Sequence, residues 1–250
     1  MPQDLLTPPL TPPADTVAMV MRQGYAVLSR DSVASLTECA ATDLDALRPS
    51  WNDLPPDAYL KDGGRYRRRR HACYVIDADT VTPKPHRAHW QPLEYNALHG
   101  GMQRWFEPVA PATAEAPVWH KLMLAMGKTC SALNPSVKRW YVEAHQFRID
   151  TTDGIGRPTP EGAHRDGVDF VAVFLIARQA IKGGETRVFE ANGPSGQRFT
   201  LTEPWSLLLV DDEKAIHEST PIQPTGDGGY RDTLVLTYRS VGFQGEAESK

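Results

Sequence analysis

Two histidines, an aspartate and an arginine stand at spacings that suit metal chemistry. The segment "EGAHRDGVDF" holds His164 and Asp166, "KAIHESTP" holds His217, and "YRDTLVLTYR" holds Arg231. His164 and Asp166 are two residues apart, so on an extended strand both side chains project from one face. His217 follows Asp166 by 51 residues and Arg231 follows His217 by 14. Two imidazoles and one carboxylate on one side of a metal leave three positions open, the arrangement of non-haem Fe(II) oxygenases. An arginine beyond the triad is the natural fork for a cosubstrate carboxylate. Thr233 lies two residues further and shares the arginine's face, while Asp232 points the other way. The chemistry expected is oxidation of a small organic molecule with Fe(II), O2 and 2-oxoglutarate. A zinc hydrolase could use the same two His and one Asp, but it would not require Arg231. The His-x-Asp pair alone is common by chance, so the distal His217 and Arg231 carry the reading.

Elements able to hold such a site follow from the apolar pattern. From Trp140 onward the period is that of strands: "WYVEAHQFRID" alternates, and "VDFVAVFLIA" is apolar on both faces, as a covered central strand would be. After the Gly183-Gly184 turn come "ETRVF", "QRFTLT", "SLLLV", "AIHESTPIQ" and "RDTLVLTYR", separated by Pro, Gly and Asp. Regular short strands predict a β-barrel or sandwich. Upstream the period is helical. Asp15 is placed to cap a short helix ended by Gly24, and "YAVLS" reads as a strand. Asp31 is placed to cap a second helix with Val33, Leu36, Ala40, Leu44 and Leu47 on one side, stopped by Pro49. A third helix spans about Pro117 to Leu133, with Trp119, Leu122, Met123, Met126 and Cys130 as core. Five prolines within residues 1–13 predict a disordered or extended tail. The expected plan is one domain over 1–250: the tail to 13, helical support and early strands over about 14–135, and a β core over about 136–240.

Polar residues offer further candidates for substrate contact. Most arginines of the run "RYRRRR" (Arg65, Arg67, Arg68, Arg69 and Arg70) should be solvated, but if the run is a strand alternate members face inward, and one of Arg65, Arg67 or Arg69 could bind a substrate carboxylate. Gln146 and Arg148 share one face of "EAHQFRID", with His145 and Phe147 on the other, and alternation alone does not say which face is inner. His145 is a weak further candidate for a metal ligand. Glu143 or Asp150 could accept from a substrate ammonium.

Composition bounds the rest. The chain has 250 residues, 40% hydrophobic, with a formal net charge of −4. No global basic field points to nucleic acid. The longest apolar run, Phe170 to Ala177, is too short to span a bilayer, and no secretory signal is visible. Cys39, Cys73 and Cys130 form no CxxC and are odd in number, which fits free thiols in a reducing cytoplasm. The expected partner is a small molecule, with no membrane partner, and the expected state is a monomer or homodimer.

The segments "VEAHQFRID", "PTPEGAHRDGVDF", "GGETRVF", "LLVDDEKAIHESTPIQP" and "YRDTLVLTYR", with "LPPDAYLKDGGRYRRRRHACY" upstream, resemble the 2-oxoglutarate/Fe(II)-dependent dioxygenases. More narrowly they resemble the bacterial group containing L-isoleucine 4-hydroxylase and the biofilm-stress protein BsmA. The resemblance implies a double-stranded β-helix (a jelly roll of cupin type) with N-terminal helices packed on the barrel. It implies that His164, Asp166 and His217 bind iron and that Arg231 holds the distal carboxylate of 2-oxoglutarate. It further implies C–H hydroxylation with release of succinate and CO2, on a free aliphatic L-amino acid in characterised relatives. Two alternatives stay open: an oxygenase for a different small molecule, and a stress or biofilm regulator of the same fold with little turnover.

Overall fold

The computed structural model describes residues 5–246. In order, the elements are α1 (Thr16–Gln23), β1 (Tyr25–Leu28), α2 (Arg30–Thr37), α3 (Ala41–Asp45), β2 (Arg67–Asp77), β3 (Thr80–Pro83), α4 (Pro111–Ala114), α5 (Pro117–Leu133), β4 (Arg139–Asp150), β5 (Phe170–Gln179), β6 (Ile181–Gly183), β7 (Thr186–Glu190), β8 (Gly196–Phe199), β9 (Leu207–Asp211), β10 (Ala215–Ser219), β11 (Ile222–Pro224) and β12 (Tyr230–Arg239). A seven-stranded sheet runs β1-β9-β5-β12-β4-β2-β3. Smaller sheets, β10-β7-β8 and β11-β6, complete the jelly roll. All strand pairs are antiparallel.

The period of two in each long strand divides the large sheet into two functional faces. Leu234, Leu236 and Tyr238 of β12 and Trp140, Val142 and Ala144 of β4 join the core shared with the helices. Trp119, Leu122, Met123, Met126 and Cys130 of α5 fill that core, as their spacing predicts. Three bonds tie this helix to the sheet: Trp119 Nε1 donates to Tyr74 Oη at 3.0 Å, Trp140 Nε1 donates to Ser131 Oγ at 2.8 Å, and Tyr238 Oη donates to the Met123 carbonyl at 2.9 Å. The opposite face carries Glu143, His145 and Phe147 of β4 and Arg231, Thr233 and Val235 of β12, all lining one cavity. Strand β5 is apolar on both faces because both are covered: Phe174 and Ile176 pack toward the helices, Val171 and Leu175 inside the barrel.

Several local expectations need correction. The helix expected from Asp31 to Pro49 is two short helices. Its cap is Ser29, whose side chain accepts from the Ser32 N–H at 3.2 Å, with Asp31 in the first turn. The break is at Glu38, which takes the left-handed conformation (φ 50°) and closes α2 through backbone bonds to Ala34 and Ser35. Pro49 opens a 3-10 turn, Arg48–Asp53, instead of stopping a helix. Asp15 occupies the cap position of α1 but makes no side-chain bond there. The segment "AIHESTPIQ" is two strands, β10 and β11, parted at Thr220-Pro221. The Pro-rich tail is extended, but residues 5–13 are not loose: Thr11 N–H donates to the Val27 carbonyl at 2.7 Å and Thr200 N–H to the Leu6 carbonyl at 2.9 Å. Residues 1–4 of that tail lie outside the described residues. Among the described residues the three cysteines are free and buried, and no helix is long and apolar enough to cross a membrane.

Candidate functional site

His164 and Asp166 do not sit on a regular strand. They lie in the connection from β4 to β5, and a single antiparallel bridge registers this loop against β10. Its two bonds join the ligand candidates themselves: each of His164 and His217 donates its N–H to the other's carbonyl at 3.1 Å. That bridge places His164 Nε2 3.8 Å from Asp166 Oδ1 and His217 Nε2 3.8 Å from Asp166 Oδ2. One donor atom from each of the three lies within 4.8 Å of the others. His164 Nδ1 donates to the Gly162 carbonyl at 2.9 Å, which puts the ring proton there and leaves the Nε2 lone pair facing the other two.

The surroundings hold this geometry. Asp212, with no solvent exposure, accepts the N–H groups of Asp166, Gly167 and Val168 at 2.8–3.2 Å and so clamps the loop. Gln91 donates to Asp166 Oδ1 at 3.2 Å, and Gln244 donates to the Asp166 and Gly167 carbonyls. Burial raises the Asp166 carboxyl above its ordinary range, and burial with the nearby Asp166 charge pushes Asp212 to about 6. Burial and the neighbouring His164 press His217 down to about 4. Burial also acts to lower His164, but the Asp166 and Glu161 carboxylates prevail and raise it. Buried carboxylates beside imidazoles with free lone pairs suit a divalent cation, and an N2O donor set suits Fe(II).

Arg231 and Thr233 lie on the inner face of β12, each 4% exposed. Arg231 is paired in register with Arg178 of β5. Burial first, and Arg178 second, lower Arg231 to about 10. Arg231 Nη2 and Arg178 Nη1 are buried without hydrogen-bond partners. Gly184 (φ +67°) packs closely against them: a Cβ there would come 3.1 Å from Arg178 Nη1 and Ile222 Cγ2 and 3.5 Å from Arg231 Cδ. Arg231, at the cavity wall with an unused N–H and a second guanidinium beside it, fits the carboxylate of a dianion such as 2-oxoglutarate. Nothing in the sequence marks Arg178, which ends an apolar strand.

One cavity, about 1050 Å³ including its open mouth, connects the triad and Arg231 to the inner faces of β2 and β4. Arg67 and Arg69 line it, as alternation on a strand predicts. Arg65 does not: it is exposed and pairs with Asp153. Gln146 and Arg148 occupy the wrong face, which corrects their candidacy. Gln146 donates to Ser50 Oγ at 2.8 Å in the helical layer, and Arg148 makes a two-bond pair with Asp232. Asp150 likewise turns out to Arg68. The strand's parity decides this, because Trp140, Val142 and Ala144 must face the helices. His145 is inner but stands apart from the triad, grouped with His71, His89 and Glu143. Arg104, His89 and Glu161 also line the cavity. They come from connecting segments without periodic pattern, so nothing in the sequence singles them out.

Comparison with known proteins agrees with this architecture. The family described as 2OG-Fe dioxygenase matches residues 48–237. The crystal structure of a BsmA homolog from Methylobium petroleophilum is similar at 51% identity and TM-score 0.91, over 95% of this chain and 97% of that one. IDO from Bacillus thuringiensis is similar at 16% identity and TM-score 0.74, over 93% and 97% of the two chains. The Fe(II)/α-ketoglutarate-dependent dioxygenase TqaL matches at 19% identity and TM-score 0.71, over 95% and 90%. No curated protein matches the chain. With the family match spanning the strands that build the cavity, the chain belongs to the 2OG-Fe dioxygenases, enzymes that work with Fe(II), 2-oxoglutarate and O2.

Proposed function

We propose that His164, Asp166 and His217 hold the iron, that Arg231 with Thr233 holds the distal carboxylate of 2-oxoglutarate, and that the whole chain works as one hydroxylase for a free aliphatic L-amino acid. The observation that carries the reading is the convergence of three donor atoms within 4.8 Å in one cavity with the unpartnered Arg231. Bound iron and 2-oxoglutarate supply an oxidant for C–H hydroxylation, with succinate and CO2 as coproducts. The protein's own residues supply the remainder. The Gly162 carbonyl fixes the His164 tautomer, Asp212 holds the loop carrying Asp166, and Gln91 orients the carboxylate. Arg231 and Thr233 fix the cosubstrate's far end, which sets where its reacting end lies.

Arg67 and Arg69 form the other pole. Each has an unpartnered buried nitrogen, Nη2 of Arg67 and Nε of Arg69. The Arg69 guanidinium lies between Phe106 and Phe147, 3.8 and 4.4 Å from their ring centres, so it is held rigid. A substrate carboxylate anchored here leaves its aliphatic chain to reach toward the triad past Val168, Val173 and Val235. Three buried, unbridged thiols support the reading that the enzyme works in a reducing compartment such as the cytoplasm.

Anaerobic addition of Fe(II) and 2-oxoglutarate should produce the weak visible band of a chelated complex, absent from His164→Ala and His217→Ala. Full metal binding by either folded variant would sink the ligand assignment. Succinate release across a panel of free L-amino acids then tests the substrate class, and stimulation by none of them would end the amino-acid reading.

A further inference from the structure

Glu143 lies on the inner face of β4, 6% exposed, and lines the same cavity as the triad. Three imidazoles surround one of its oxygens. Oε2 is 2.5 Å from His89 Nδ1, 3.1 Å from His71 Nε2 and 3.6 Å from His145 Nε2. The tautomers follow from the partners. Arginine has donors only, so His145 Nδ1, 2.7 Å from Arg69 Nη2, accepts, and that ring's proton sits on Nε2 toward Glu143. A carboxylate accepts only, so His71 Nε2 and His89 Nδ1 donate to it. Burial lowers all three imidazoles, His89 to about 4, so each is neutral with one N–H, and each N–H is directed at the same oxygen. Burial alone would raise Glu143, but His89 and His71 prevail and hold it well below the usual carboxylate range.

The carboxylate is therefore ionised and locked in place by one oxygen. Its other oxygen, Oε1, has no hydrogen-bond partner among the described residues. The four side chains also bring one donor atom each within 4.8 Å, the spread of a possible metal site. Metal ligation through His145 Nε2 would require that nitrogen to lose its proton while Arg69 still occupies Nδ1, which a neutral imidazole does not allow. The network is complete without a cation on Oε2, and what it leaves over is a single charged acceptor facing the cavity.

We propose that Glu143 Oε1 receives the ammonium group of the substrate, with His71, His89 and His145 as positioning residues, so that the site takes free primary amines and rejects the corresponding 2-hydroxy and N-acyl acids. This rests on the amino-acid reading above and adds what selects the amine. The counter-pole is cationic: Arg67, Arg69 and Arg104 each keep an unpartnered nitrogen. The same cavity wall carries the Glu143 and Glu161 carboxylates, with Asp166 at the triad. A zwitterion brings both signs to this wall and adds no net charge to it. A 2-hydroxy acid adds one negative charge and leaves the Glu143 charge unmatched, a desolvation cost that makes buried polar sites selective.

The test uses the full chain loaded with Fe(II) and 2-oxoglutarate. L-Isoleucine, L-leucine and L-valine are compared with their 2-hydroxy acid counterparts, by kcat/KM for succinate release and by anaerobic titration of the visible band. The wild-type protein should favour the best amino acid over its hydroxy counterpart by at least about 100-fold. Glu143→Gln should bring that ratio below about 10-fold by weakening the amino acid, and Glu143→Asp should restore part of it. A wild-type protein that accepts both equally overturns the proposal, whether or not the variants fold. Two tightly bound metal ions per chain, one of them lost in Glu143→Gln, would also overturn it. Failure of every amino acid to stimulate succinate release removes the amino-acid reading and this proposal together; stimulation without amine selectivity removes the proposal alone.

Discussion

Arg231 is a guanidinium whose burial has no internal compensation for one of its nitrogens, and a buried cation without partners is costly unless a ligand completes it. Replacing it by alanine should therefore act on cosubstrate binding first. Charge-assisted bonds contribute roughly 1.5–3 kcal/mol each, and about 1.4 kcal/mol is tenfold. Arg231→Ala should raise the KM for 2-oxoglutarate by at least about tenfold, measured as initial succinate rates against 2-oxoglutarate concentration. An unchanged dependence in a folded variant would contradict its role. At this scale the sequence is informative where chemistry repeats at fixed spacing: His164, Asp166, His217, Arg231 and Thr233 all reach one cavity. It is silent on Arg178, Gln91 and Arg104, whose relevance arises only when distant segments meet. It is ambiguous on β4, where alternation defines two faces but not which is inner. Gln146 and Arg148 look as suitable as Glu143 and His145 until the tryptophan at 140 is seen to face the helices.

Strand β2 shows how an element carries charge into a core. Four arginines in a row alternate, so two are buried and two lie at the surface side of the sheet. The buried pair is held by one carboxylate: Asp57 Oδ2 lies 2.7 Å from Arg67 Nε and 4.0 Å from Arg69 Nη1. Burial acts to raise Asp57, but Arg67 and Arg69 prevail and lower it below its ordinary 3.8. A lowered carboxylate stabilises the fold above its unfolded value, and that contribution is lost as pH falls through the folded value. Asp57→Asn should cost about 3 kcal/mol at pH 7, since breaking a buried pair strands its cations. In urea denaturation the gap between variant and wild type should hold down to about pH 4 and shrink below it, because only the wild type then takes up a proton. A gap independent of pH, or none, would contradict the pairing. Strands and the long α5 were legible because their apolar periods are strong. The short helices were not: the Glu38 break depends on a left-handed residue that is not glycine, and Ser29 and Asp31 both offer caps two positions apart.

At the scale of the molecule, iron would link segments far apart in the chain, since the loop holding His164 and Asp166 meets β10 through one backbone bridge. Ligand at 100 times its Kd stabilises by about 2.7 kcal/mol, and for a chain of this size each kcal/mol is worth about 2–4 °C in Tm. Anaerobic Fe(II) with 2-oxoglutarate should thus raise Tm by about 5–10 °C, with EDTA reversing it. No rise in the wild type would contradict iron binding to the folded chain, and an equal rise in His217→Ala would place the metal elsewhere. The jelly roll was legible in its regular short strands, whereas the packing of the proline-rich segment was not, because prolines that forbid regular structure do not forbid contact. That segment touches the sheet along one of its edges. Strand β1 is one of the two edge strands of the seven, and Leu10 and Thr11 lie along its free side, bonded to Val27. Pro8, Pro9, Pro12 and Pro13 flank this short contact and carry no N–H to recruit a further strand. A stack of β-strands growing from this border is ended by the prolines. Deleting residues 5–13 should leave a protein whose light scattering rises with concentration and time, while Pro8→Ala and Pro9→Ala together should do so only weakly, since the Thr11 bond would remain.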